Sequence, residues 1–246
     1  MISTSSFIPW ESKAAHDQSQ AGLQTADAIL FPAFQYATNV NPAGSGISTF
    51  VRSLLLPETL HPLHGDLSEA EKARRTRAPE LINTSAIKIT SVRAPTILIC
   101  SHATRDSRCG ILGPLLHAEF TRYISERKST MHKLVSRSQE LACEEKMPAP
   151  EPGDKNEGSG GSIVNLGMIS HVGGHKWAGN VIVYVPPGFP GEDGQAPHPL
   201  GGMGIWYGRV EPRHVEGIVE ETLIKGRVIR DLFRGGIAQD GTVLRL

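Results

Sequence analysis

The feature that most constrains this chain is a pair of pairs: CSHATRDSRC from Cys100 to Cys109, and HVGGH from His171 to His175. Thiols and imidazoles are soft and borderline metal ligands. Each pair follows a short apolar run. PTILIC at 95–100 is rich in β-branched residues and predicts a buried strand; SIVNLGMI at 162–169 alternates like a strand. A fold that uses both pairs together must set two strand ends side by side, although about sixty residues separate them.

The bulk composition narrows the function classes. The 246 residues suffice for one large domain with extensions. Twenty-five basic residues against 25 acidic ones leave no net charge, which argues against nucleic-acid binding through bulk positive charge. The longest apolar runs, 96–100 and 181–185, are far shorter than a membrane span. Three cysteines (Cys100, Cys109 and Cys143) do not make a secreted disulfide framework and predict a reducing compartment. The opening MISTSSFIPWESKAAHDQ has no basic start and no apolar h-region, and no arginine occurs before Arg52. Neither a secretory signal nor a transit peptide is expected there, so the expected location is intracellular and not secreted.

Along the chain, residues 1–85 read as an irregular N-terminal arm, in which short apolar patches alternate with proline and glycine. Within it, LSEAEKARRTR at 67–77 predicts a short helix with Ser68 as N-cap and Glu71 at the capping-box position. Ile111, Leu112, Leu115, Leu116, Phe120, Tyr123 and Ile124 recur with helical spacing and predict a helix from Cys109 to about Lys128. Residues 138–162 are polar and rich in Pro, Gly and Glu, which predicts a flexible insertion. Cys143 lies in it and is left out of the candidate site. VIVYV at 181–185 predicts another buried strand, with GIWYGRV at 204–210 as its hairpin partner. Residues 212–225 predict a helix with Pro212 in the first turn and Val215, Ile218, Val219 and Leu223 facing one way. Residues 236–246 remain as a C-terminal tail. The order strand, helix, strand, strand, strand, helix predicts an α/β layer with a mixed sheet flanked by helices.

A thiolate at Cys109 is expected to be favoured by the start of the helix and by Arg105 and Arg108 close in sequence. Gly173 and Gly174 argue for a loop in which two imidazoles converge. Two Cys and two His suit two occupants: one tetrahedral zinc, or a 2Fe–2S cluster with imidazoles in place of two thiolates. The eight-residue gap between the cysteines is wider than common zinc knuckles, which leans to the cluster without deciding. Asp106 reads as a helix cap, and Trp177 and Trp206 as packing. His102, His117 and His214 read as surface residues or as support for the site.

The stretches LICSHATRDSRCGILGPLL, HVGGHKWAGNVIVYVP and GIWYGRVEPRHVEGIVEETLIKGRVI resemble the thioredoxin-like 2Fe–2S ferredoxins. Histidine at both positions of the second pair is similar to a fungal sucrase/ferredoxin-like subgroup, of the altered-inheritance-of-mitochondria and actin-patches-distal type. The likeness covers about residues 95–235. It implies a thioredoxin-like ferredoxin domain over 86–235. It also implies a 2Fe–2S cluster held by Cys100, Cys109, His171 and His175, with the cysteines on one iron and the histidines on the outer one. The implied activity is electron transfer or redox sensing, non-catalytic and coupled to a proton on imidazole. Its partner would be a redox protein, with a homodimer left open, and its location mitochondrial or cytosolic. The alternative is a structural zinc-binding interaction module.

Overall fold

Val181–Val185 is an unbroken apolar run, and such a run suits a strand covered on both faces. In the computed structural model that run is β6, buried at all five positions and placed inside a six-stranded sheet. The structure describes residues 3–7, 25–104, 106–131, 133, 134 and 164–245, and for His175 the backbone alone. Arg105, Cys143 and the insertion expected at 138–162 lie outside the described residues.

The chain divides into two compact units. The larger holds residues 3–7, Phe31–Phe34 and the chain from Val92 onward. Its strands are β4 (Thr96–Cys100), β5 (Asn165–Ile169), β6, β7 (Met203–Tyr207), β8 (Phe233–Ala238) and β9 (Val243–Leu244), in the order β5-β4-β6-β7-β8-β9. β4 and β5 are parallel and every other pairing is antiparallel, so the sheet is mixed, as expected. Residues 3–7 lie along β5, with the Ser6 N–H on Met168 O and the Ser170 N–H on Thr4 O, both at 2.8 Å. That segment occupies backbone groups which an edge strand would otherwise leave open.

Two helices share one core with this sheet. α3 (Ser107–Glu126) contributes Leu116, Phe120 and Tyr123. The second, α4, is composite: a 3₁₀ turn at Pro212–His214, one α turn at Val215–Gly217, and a π-helical stretch at Ile218–Ile224. Val215, Ile218, Val219 and Leu223 are fully buried, which is the face expected from their spacing. They meet Ile97, Ile99, Val181, Val183 and Val185 from the sheet. Burying each such side chain stabilises by about 2 kcal/mol. On β6 the alternate residue Tyr184 stacks on Phe31 at 3.8 Å between ring centroids, with Phe34 edge-on at 6.1 Å. Both faces of the strand are thereby covered. The molecule is mixed α/β, with a mixed sheet flanked by helices, an arrangement compatible with a thioredoxin- or ferredoxin-like fold. Among the described residues no helix is long and apolar enough to cross a membrane.

The smaller unit differs from the irregular arm expected over 1–85. Gln35–Ser91 and residues 25–30 carry an antiparallel sheet of β1 (Ala26–Leu30), β2 (Gln35–Val40) and β3 (Lys88–Ser91). With it come α1 (Gly44–Phe50) and α2 (Glu69–Arg75), and a core of Ala37, Val40, Phe50 and Ile87. The physical reason is non-local pairing. β2 finds β3 about fifty residues later in the chain, and no local period announces it. Since β3 belongs to this unit, the boundary falls at 91/92 rather than 85/86. α2 has the expected capping box: the Glu71 N–H donates to Ser68 Oγ, and the Ser68 N–H to Glu71 Oε2. The expected tail at 236–246 is likewise no tail. β8 and β9 extend the sheet as a hairpin, closed by the Ala238 N–H on Thr242 O.

Candidate metal centre

The parallel pairing of β4 with β5 builds the site. Cys100 lies opposite Ile169, and the Ser101 N–H donates to Ile169 O at 3.1 Å. On its other side the Cys100 N–H donates to Asn180 O at 3.0 Å. The loops after β4 and β5 therefore leave the same edge of the sheet. One leads into α3, which carries Cys109, and the other carries His171 and His175, so the two segments start from adjacent strand ends.

The first loop folds back on the helix it feeds. Asp106 caps α3 through the Arg108 N–H at 2.9 Å, as its position in the sequence predicts. A Cβ built on Gly110 would meet Ala103 Cβ at 2.6 Å, and one on Gly113 would meet Ser101 Cβ at 2.5 Å. These glycines let the loop lie on the first turns of α3, which returns Cys109 to the end of β4. The two sulfurs are in hydrogen-bonding contact, and both residues are buried, at 0% and 1% exposure.

The charge state of this pair corrects one expectation. The Cys109 thiol is pushed up to about 11, first by burial and then by the neighbouring Cys100. Burial outweighs the helix start, and the Arg108 guanidinium is engaged by Asp106 at 2.8 Å. The Gly179 N–H points at the Cys109 sulfur and acts in the opposite, thiolate-favouring sense.

The second loop presses onto the first. His171 is half-buried, its ring centroid 5.9 Å from that of His102. Val172 is buried, and His175 opens a 3₁₀ turn ending at Trp177. The ring of His175 lies outside the described residues. Among the described residues no group of three or more His, Cys, Asp or Glu side chains surrounds a single point fit for a metal ion. Gly173 has φ +78°, and its added Cβ would meet Asn180 Oδ1 at 2.7 Å and Arg234 Nη1 at 2.9 Å. Gly174 has room: only Trp177 Cδ1 lies within 4 Å, at 3.7 Å. Gly173→Ala is therefore expected to lower thermal stability by about 2–3 kcal/mol and loosen the loop, whereas Gly174→Ala stays within about 0.5 kcal/mol of the parent. Urea unfolding of both variants checks this, and equal midpoints would refute the assignment of Gly173 as the packed glycine.

Arg209 and Arg234, which local sequence did not single out, complete the surroundings. Arg234, from β8, donates from Nη1 to Asn180 Oδ1 at 2.8 Å. Arg209 and Arg234 lie over the Trp177 ring, at 4.5 and 4.4 Å from its centroid. Trp177 thus carries cations as well as packing. Asn180 ties Cys100 to Arg234 through its carbonyl and its side chain. Nothing in the local pattern could have found Arg234, which lies 59 residues beyond His175. Gly179, directly before Asn180, offered only the signal of a glycine entering a strand.

Comparisons with known proteins fit this picture. Altered inheritance of mitochondria protein 32 of Meyerozyma guilliermondii is 31% identical over 192 residues, 77% of this chain and 50% of that protein. The protein of that name from Clavispora lusitaniae is 34% identical over 146 residues, 59% of this chain and 36% of its own. Actin patches distal protein 1 of Saccharomyces cerevisiae is 32% identical over 128 residues, 52% of this chain and 29% of its own. The chain thus matches between about a third and half of the length of these relatives. A family model described as sucrase/ferredoxin-like matches residues 1–235, and the chain belongs to that family.

Proposed function

We propose that Cys100, Cys109, His171 and His175 hold a 2Fe–2S cluster and that the protein carries electrons or senses redox state without substrate turnover. The observation that carries this reading is the buried pair of touching thiols set against the histidine loop by the β4–β5 pairing. The donor set fits the group. Two adjacent sulfurs can share one iron, and a second pair on a neighbouring loop can take the other. Asn180 Nδ2 is buried without an acceptor among the described residues, so an unsatisfied donor stands between the two loops.

When bound, such a cluster supplies a one-electron couple, at a potential raised above the all-cysteine kind by its imidazole ligands. The chain's own residues do the rest. The two thiols give up their protons on binding, which the raised Cys109 value makes dependent on the metal itself. The imidazoles bind neutral and keep a second nitrogen that can hold a proton, so electron uptake is coupled to protonation there. A nucleophilic thiol oxidoreductase is the weaker reading, because Cys109 stays protonated at neutral pH. A structural zinc module is the alternative occupant. It needs all four donors around one point, whereas a two-iron cluster takes the two pairs separately.

Metal analysis of the purified protein decides between them. The expected result is a red-brown protein with about two irons and two labile sulfides per chain, and an electron paramagnetic resonance signal on reduction. Its midpoint potential should fall with pH by up to about 59 mV per unit. A colourless protein with one zinc would overturn the cluster, and a potential flat from pH 6 to about 10 would overturn the proton coupling. The relatives named for mitochondrial inheritance support a mitochondrial or cytosolic location, which subcellular fractionation would test.

A further inference from the structure

We propose that Lys176, Arg209, Arg230, Arg234 and Arg245 form a docking face for a protein partner that presents carboxylates. This inference rests on the reading of the site as an electron-transfer centre and names where the partner sits.

The chain as a whole carries no net charge, so a local gathering of one sign has to be built. Here it is built from four segments of the larger unit. Lys176, Arg209 and Arg234 surround the Trp177 ring, at 5.3, 4.5 and 4.4 Å from its centroid. Arg230, Arg234 and Arg245, with Phe233, line an open hollow of about 340 Å³. Arg234 belongs to both groups, so they form one continuous face. On and just after α3, by contrast, Arg122 and Arg127 are each paired with a glutamate. The five cations of this face have no carboxylate within ion-pair distance among the described residues. Asp231, the one carboxylate in the Arg230–Arg234 segment, does not pair with them either.

Local conformation is adjusted to hold these charges. Arg209 has φ +58°, a left-handed conformation that a non-glycine residue adopts at a cost of about 1 kcal/mol. Its N–H is fixed on Trp177 O at 3.3 Å. Gly208 leaves the space through which the Arg234 stem passes, since a Cβ there would fall on Arg234 Cδ. Stacking on an indole uses the flat face of a guanidinium and leaves its N–H edge for a planar carboxylate. The face also lies where electrons would enter or leave. Trp177 shares its 3₁₀ turn with His175, and Arg234 reaches the Gly173 backbone between the two histidines. The hollow is open, and the charges extend past it to Lys176 and Arg209 at the Trp177 ring. That shape suits a protein surface better than an enclosed small anion.

In the step proposed, one electron passes from a reduced acidic protein to the oxidised holoprotein, and no bond is made or broken. The probe is an acidic plant-type ferredoxin, photoreduced and mixed with holoprotein in a stopped-flow instrument. Iron and sulfide are measured on every sample first. The variant is Arg209→Gln/Arg230→Gln/Arg245→Gln, which leaves Arg234 and the histidine loop intact. The second-order rate constant is expected to fall roughly tenfold or more between about 50 and 500 mM salt. It should fall by a similar factor in the triple variant at low salt, while reduction by a small uncharged donor is unchanged. A triple variant with parental iron content that reacts with the acidic protein at the parental rate would overturn the docking face. So would a face that binds inorganic triphosphate tightly while the protein reaction ignores salt. Parent protein without iron and sulfide would instead overturn the cluster reading. The docking face would then stand or fall on salt-dependent binding of the same acidic protein, measured at equilibrium.

Discussion

Replacing Cys109 by alanine is expected to leave a folded but colourless protein, its iron and labile sulfide falling from about two per chain to near zero. Cys109 is 1% exposed and Cys100 fully buried, so both thiols already behave as small core side chains. Trimming one to alanine removes a single heavy atom and costs on the order of 1 kcal/mol in packing. That is too little to unfold the domain. The expected loss to metal binding is far larger, because one of the four proposed donors disappears and metal-binding energy at such a site is itself part of the folding energy. Alanine is preferred to serine here because a buried hydroxyl would add an unsatisfied polar group to a site already poor in partners. Cys143→Ala is the matched control: that cysteine lies in the polar stretch at 138–162 and should leave iron content untouched. Circular dichroism would verify the fold, and the thermal midpoint of Cys109→Ala should coincide with that of parent protein stripped of metal. A Cys109→Ala protein that keeps parental iron would remove the thiol pair from the site.

How much of this was readable in the sequence depends on the range of each interaction. β6 announced itself because five adjacent apolar residues can only be a covered strand, and α4 because Val215, Ile218, Val219 and Leu223 recur at helical spacing. The capping box from Ser68 to Glu71 spans only four residues and was equally legible. The π-helical turn of α4 was not, since its widened turn goes with a tertiary contact, Tyr207 Oη to Thr222 Oγ1 at 2.6 Å. β3 was missed because it pairs with β2 across about fifty residues, whereas β1 and β2 form a local hairpin, Leu30 opposite Gln35, whose connection at 31–34 has no glycine or asparagine to mark it. Ile111 and Leu115 show the limit of periodicity in the other direction: both fit the helical pattern, and both are exposed, at 63% and 51%. At the candidate site, the strand ends that feed the Cys and His segments could be read, but the sign of the Cys109 shift could not. It depends on burial depth, which overrides the helix start, and Arg108, close in sequence, is paired with Asp106.

Gly179→Ala should be among the most damaging single substitutions near the site, destabilising by roughly 3–5 kcal/mol. Two independent terms add. Gly179 has φ +88°, where an alanine is strained by about 1 kcal/mol whatever surrounds it. Its added Cβ would also fall on the Val210 carbonyl oxygen and lie 2.8 Å from the Val210 nitrogen. Those are backbone atoms and cannot swing aside as a side chain would. Val210 is fully buried, and its N–H is tied to Gly179 O at 3.0 Å, so the clash is with a segment held from both ends. Gly188→Ala separates the two terms, because Gly188 also has positive φ, +71°, but nothing within 4 Å of its added Cβ. It should lose only the conformational term. For a chain of this size the thermal midpoint is expected to drop by about 10 °C for Gly179→Ala and by about 3 °C for Gly188→Ala. The Gly179 variant should also release iron earlier on heating, because the displaced backbone carries the N–H that faces the Cys109 sulfur. Equal midpoints for the two variants would mean that the Val210 backbone yields, and that the approach of the histidine-bearing loop to the cysteines is looser than this packing requires.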